Sequence, residues 1–166
     1  MAISAGTWAV IDRIGLNQAI DATSTTQQHV IGERVRCKDT GTTNYGFAEF
    51  IYLKGVASLA AGDYCTYEAD GTTARCVARA VGPGAVAMAA IPASSFGWFQ
   101  IFGLAKVTSA TVVAHKQGYL CGTTGAVDDA VVTGDLIYGL TTLTADDTGF
   151  CKASLNYPRT GDTDNA

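Results

Sequence analysis

Proline and charge are the scarcest features of this chain. Only 3 of its 166 residues are proline and only 16% are charged, against about a quarter in an average soluble domain. The few charges sum to −4, and no block of lysine and arginine stands out. Phosphate binding needs a clustered basic footprint. The nearest approach, "GERVRCK" at 32–38, fits the solvated face of a strand, so no nucleic-acid partner is expected. No apolar run reaches the ~18 residues of a membrane span. The first 20 residues also lack the charged start and continuous apolar centre of a secretory signal. The expectation is a protein made in a cytosol, with no membrane partner.

Catalytic patterns are missing as well. There is no G-x-S-x-G, no phosphate-cradling loop and no H-E-x-x-H. His29 follows the polar run "STTQQ" and His115 ends a strand-like run, so both are expected at the surface rather than as bases. Asp128-Asp129 and Asp146-Asp147 lack the alternating oxygen ligands of a calcium loop and read as turn acids. The aromatics Phe96, Trp98, Phe99 and Phe102 could make a sugar-binding platform, but aromatics at strand spacing more often serve a core or an interface. The reading is not an enzyme, with no cofactor and no metal.

The five cysteines, Cys37, Cys65, Cys76, Cys121 and Cys151, show no C-x-x-C spacing, which argues against a zinc site. Each alone reads as a small buried hydrophobe. The odd count leaves one without a partner inside the chain, so all five remain disulfide candidates, within or between chains. A globule of this length buries about 70% of its unfolded surface and needs no such bond merely to fold.

What is present is β-forming sequence cut by tight turns. "FAEFIYLKG" (47–55) alternates as a strand. "DYCTYEADGTTARCVARA" reads as a hairpin around Asp70-Gly71, a strong hairpin signal. "VGPGAVAMAAI" places Pro83 and Gly84 at the centre of a type II turn. "FGWFQIFGLAKV" is apolar on both faces apart from Gln100, as a central strand covered on both sides would be. Further strands are expected near 118–121, 126–132, 135–140 and 149–156. With turn signals every 8 to 12 residues or so and no long helix-period segment, the fold class is all-β. The expectation is a β-barrel or sandwich of about 8–10 short strands over 31–158, with a polar tail at 159–166.

Residues 1–30 differ. Trp8, Ile11, Ile14 and Leu16 carry too little apolar surface for a core of their own. Gly15 and Asn17 cut off any helix that Val10, Ile11 and Ile14 could start. This reads as an extended N-terminal arm that docks on its own domain or on a neighbour, with those four residues as contact candidates.

The hairpin leaves two registers open. A two-residue loop at Asp70-Gly71 sets Cys65 opposite Cys76, at a Cα separation near ~5.5 Å that a disulfide spans; this register is preferred. A three-residue loop at 69–71 sets Cys65 opposite Arg75 and turns the two thiols to opposite faces. "AAGDYCTY" (60–67) and "VTGDLIYG" (132–139) echo each other, and good Gly-Asp turn chemistry is favoured over a duplication.

Three stretches taken in order, "EFIYLKGVASLAAGDYCTYEADGTTARCVARAVGPGAVAMAA", "FGWFQIFGLAKV" and "GYLCGTTGAVDDAVVTGD", resemble tailed-bacteriophage head decoration (capsid cement) proteins over roughly 30–158. The resemblance implies a β-barrel-like domain bound in many copies outside an icosahedral shell. Its partners would be the major capsid protein and copies of itself, with trimers favoured. It brings no catalytic residues. The cysteines stand where Val, Thr, Leu or Ala would be expected, and they leave room for covalent staples formed outside the cytosol. The competing readings are a head-fibre or tail component and a carbohydrate-binding β-sandwich.

Overall fold

The computed structural model describes residues 6–12, 15–41 and 45–161; Ile14 lies outside them. Twelve strands run in chain order: β1 Trp8–Val10, β2 Thr23–Ser24, β3 Arg34–Asp39, β4 Phe47–Lys54, β5 Tyr64–Tyr67, β6 Thr73–Arg75, β7 Gly82–Ala87, β8 Phe96–Thr108, β9 Gln117–Leu120, β10 Val127–Asp128, β11 Leu136–Thr142 and β12 Phe150–Thr160. The fold is all-β, and the strand pairings are antiparallel. The main path β1-β3-β4-β8-β7-β12-β11-β9-β10 does not close on itself. Of the two architectures expected, the sandwich therefore fits and the barrel does not. The extra strands beyond ten are short pieces such as β2 and β10.

The organiser is β8, the expected central strand. Its first half pairs with β4 and with β7, and from Phe102 onward it pairs with β12. The exchange happens at Gly103, where φ is +92 and a Cβ would overlap the Phe47 carbonyl oxygen. Only glycine combines that backbone angle with so close an approach. Because β7 also meets the far end of β12 through Gly82 and Pro83, the sheet folds over itself around β7, β8 and β12. Side chains from this junction and from the flanking β4 and β11 fill the core, with Trp98, Phe99, Phe50 and Ile137 all fully buried.

A single turn recurs at the strand entries. At 30–33, 60–63, 92–95 and 132–135, the N–H of the fourth residue donates to the carbonyl of the first, at 2.9 to 3.2 Å. The third residue has positive φ in each: Gly32, Gly62, Ser94 and Gly134. This is type II turn geometry. A strand begins at the next residue each time, as β3, β5, β8 and β11. Where the fourth residue is acidic it ties the entry down. Glu33 accepts from the Val30 N–H, Asp63 from the Ala60 N–H, and Asp135 from the more distant Arg79 N–H. The Gly-Asp echo is thus two uses of a device that also enters β10 at 123–126, where Gly125 has φ 80, as the turn reading holds.

Three expectations are corrected. Pro83 and Gly84 lie inside β7, not in a turn; the turn comes earlier, at 77–80, with Arg79 at φ 65. Pro83 is tolerated because it faces a partner on one side only, β12, while β5 pairs with Gly84 onward. Arg159 and Thr160 belong to β12 and pair with β7 and β11, so the strand runs past the expected boundary of the tail. The hairpin takes the three-residue register, in which Cys65 faces Arg75, so the preferred Cys65–Cys76 pairing does not form.

Candidate functional site

The N-terminal arm lies on its own domain, where elements far apart in sequence hold it. β1 adds to β3, pairing Trp8 with Asp39 and Val10 with Cys37. The Trp8 ring sits edge-on to Phe50 at 5.0 Å and tilted against Tyr45 at 6.1 Å. Asp12 closes the strand by accepting from the Arg36 backbone N–H at 2.7 Å and from its guanidinium Nε at 2.9 Å. Those bonds from Arg36, the side-chain one first, hold the Asp12 carboxyl below the usual range.

Further along, Gln18 acts as a latch. Its amide N donates to the carbonyls of Ala22 and Phe96, its amide O accepts from the Tyr52 hydroxyl at 2.7 Å, and its own carbonyl accepts from the Trp98 indole N–H. His29 completes the latch. It is 8% exposed, packed against Trp98 and Tyr52, and its Nε2 accepts from the Asn17 N–H at 3.2 Å. That assigns the ring proton to Nδ1, which faces Glu33 at 3.3 Å. The expectation of a surface His29 is therefore corrected; His115 is exposed, as expected. A polar run such as "STTQQH" conceals this, because the groups that bury His29 come from β4 and β8.

The four contact candidates separate. Trp8 and Leu16 are partly buried against the cluster around Phe50, Tyr52 and Trp98. Ile11 is 46% exposed and projects from the end of β1. A groove of about 380 Å³ runs beside them, lined by Trp8, Leu16, Asn17 and Ile20 among others. The buried Trp8 indole N–H has no hydrogen-bond partner among the described residues.

The cysteines do not come together as bonded pairs. All five are free thiols, four of them buried and only Cys121 partly accessible. Cys65 and Cys76 fall in different core clusters on opposite faces. Burial raises Cys37 and Cys76 to about 12 and Cys151 to about 11, and pushes Cys65 well up. The thiol chemistry open to the folded chain is thus concentrated at Cys121. Its Sγ lies 3.5 Å from the Ala126 carbonyl.

Of the aromatics at 96–102, Trp98 and Phe99 are fully buried, in keeping with the core reading favoured for them. Exposed aromatic surface sits elsewhere, where Phe102 bridges Phe47 at 5.9 Å and Tyr157 at 5.3 Å. Three residues of β12, Asn156 to Pro158, bulge opposite Gly139. The bulge holds Tyr157 at φ 45 and turns its hydroxyl to Glu49 at 2.9 Å. Sequence reasoning missed this cluster because Phe47, Phe102 and Tyr157 lie on three different strands.

Buried and half-buried acids serve the fold. Asp63 accepts from Arg75 Nε at 2.7 Å, the Ala60 N–H and the Thr108 hydroxyl. Asp128 caps its own turn, Asp129 accepts from the Val113 N–H, and Asp146 from the Ser109 hydroxyl. Comparison with protein-family models and with curated proteins finds no match to this sequence.

Proposed function

We propose that the chain is a structural virion protein that decorates and stabilises the outside of a phage capsid by bridging capsomers. It would bind the major capsid protein and copies of itself, in the trimers that the resemblance implies. The observation that carries the reading is the ordered series of strands and turns quoted from 49 to 135, which runs into one open all-β sheet. The arm supports it. Docked on its own domain, it still presents Ile11 and an unpaired strand edge outward. The polar side chains described above are engaged by turns, by the latch and by the Asp63–Arg75 pair, and the reading assigns catalysis to none of them.

Decoration works through buried area. A standard protein interface removes ~800 Å² from each partner, at about 25 cal/mol per Å² of apolar surface before association costs. A shell strained by packaged DNA gains stability when such contacts cross capsomer boundaries. Covalent stapling through several cysteines forms no part of the proposal, because four of the five are buried.

The test adds purified chain to shells that lack it and measures co-sedimentation and the temperature at which the shells open. Wild type should bind to saturation and raise that temperature. Ile11→Asp should lose at least about tenfold in affinity with unchanged circular dichroism. Failure of the wild type to bind sinks the capsid reading. Unchanged binding of Ile11→Asp sinks the arm contact.

A further inference from the structure

The outer edge of β1 is built to receive another strand. Within the β1–β3 pair, the Ile11 N–H donates to the Arg36 carbonyl and the Thr40 N–H to the Thr7 carbonyl. In an antiparallel ladder the residues that bond to one neighbour alternate with those that face the other way. Residues 7, 9 and 11 are therefore spent on β3, and the backbone groups of Trp8 and Val10 point outward. They have no partner among the described residues.

Exposed edges are normally guarded by lysine, proline, a bulge or an inward charge. The stretch Thr7-Trp8-Ala9-Val10-Ile11 carries none of these: it is uncharged, β-prone and regular in register. Every other proline-free strand of at least three residues reaching the rim of the path, such as β6 and β9, either carries charge or has its neighbours on both sides.

We propose that β1 pairs with β1 of a second copy of this chain, antiparallel about a two-fold axis through Ala9. Among the registers that match outward-facing residues, an axis through Ala9 is the one that pairs both of them within β1: Trp8 meets Val10 of the partner and Val10 meets Trp8 of the partner, each pair exchanging both N–H···O=C bonds. Ala9 then faces Ala9 of the partner in the closely spaced, non-bonded position, where a small side chain fits. Trp8 beside Val10 of the partner is an aromatic–β-branched pair of the kind that stabilises sheets. No charge lies within residues 7–11, so the two-fold axis brings no like charges together. The occupant is therefore a second copy, joined as an isologous contact and separate from any contact that closes a trimer.

The inference concerns purified protein in solution and stands or falls apart from the capsid reading. Sedimentation of the full chain should give an even multiple of its 17.2 kDa mass. Val10→Pro should halve it. That substitution removes an outward N–H and spares the bonds to β3, and proline is tolerated at such edge positions. As a second readout, Ala9→Cys with Cys121→Ser should form an interchain disulfide on mild oxidation, since facing Cα atoms lie ~4.5 Å apart at that position. A monomeric or odd-numbered wild type overturns the proposal. So does a mass unchanged by Val10→Pro in a folded protein. If Val10→Pro fails to fold, absence of the interchain cross-link in the Ala9→Cys variant overturns it instead.

Discussion

Removing the Asp63 carboxylate gives the sharpest test of the turn-and-anchor logic. Asp63 is 2% exposed and closes the turn before β5. It also holds Arg75 of β6 at 2.7 Å and the Thr108 hydroxyl of β8 at 3.2 Å, so one side chain ties three strands. Breaking a buried ion pair from one side costs about 3–5 kcal/mol, because the other charge is left stranded. The Arg75 side chain keeps 23% of its surface and a bond to the Thr124 carbonyl. Ala60 is exposed, so water replaces that bond. Both features put Asp63→Ala at the lower end, about 3 kcal/mol. A domain of this size loses roughly 2–4 °C in Tm per kcal/mol, which predicts a fall of about 6–12 °C. Asp63→Asn keeps one acceptor and should cost about half as much. In a double-mutant cycle with Arg75→Ala, chemical denaturation should give a coupling of about 2 kcal/mol. Additivity within about 0.5 kcal/mol, or an Asp63→Ala cost below about 1 kcal/mol, would refute the anchor.

Two further predictions concern the thiols. In native buffer at pH 8 one thiol per chain, Cys121, should react with a colorimetric disulfide reagent, and all five should react in denaturant; rapid native labelling of three or more contradicts the packing. Stability should also fall on the alkaline side. The unfolded thiols ionise near 9.0, whereas burial keeps Cys37 and Cys76 protonated to about 12. Between those values the folded state binds more protons, so its advantage is intact below pH 9 and drains away as pH rises. Tm should be flat from about pH 7.5 to 8.5 and drop steadily from about 9 to 11; a flat profile across the whole range contradicts it.

Much of the sheet was legible because strand, turn and burial leave local marks. "FAEFIYLK" and "FGWFQIFGLAKV" became β4 and β8, and the Asp70-Gly71 turn joins β5 to β6. Register was not legible. Gly71 has φ +80, and a Cβ there would overlap the Ile31 side chain; that close approach comes from a residue 40 positions away, so the bulged loop was invisible locally. The Pro83-Gly84 signal misled for a similar reason. Gly84 is needed because a Cβ would overlap the Tyr64 hydroxyl, not because the chain turns. The latch that holds residues 17–29 was not legible. Gln18 and His29 are polar residues whose burial depends on Tyr52 and Trp98, contributed by β4 and β8.

The central claim is that this chain coats a shell in many copies. The most direct measurement is a denaturing gel of purified source particles with free thiols blocked, run with and without reductant and read by band intensity. The account predicts copies approaching the abundance of the main shell protein, running as monomers in both lanes, with at most a dimer through Cys121 before reduction. A handful of copies per particle would contradict it and point to a fibre or tail component.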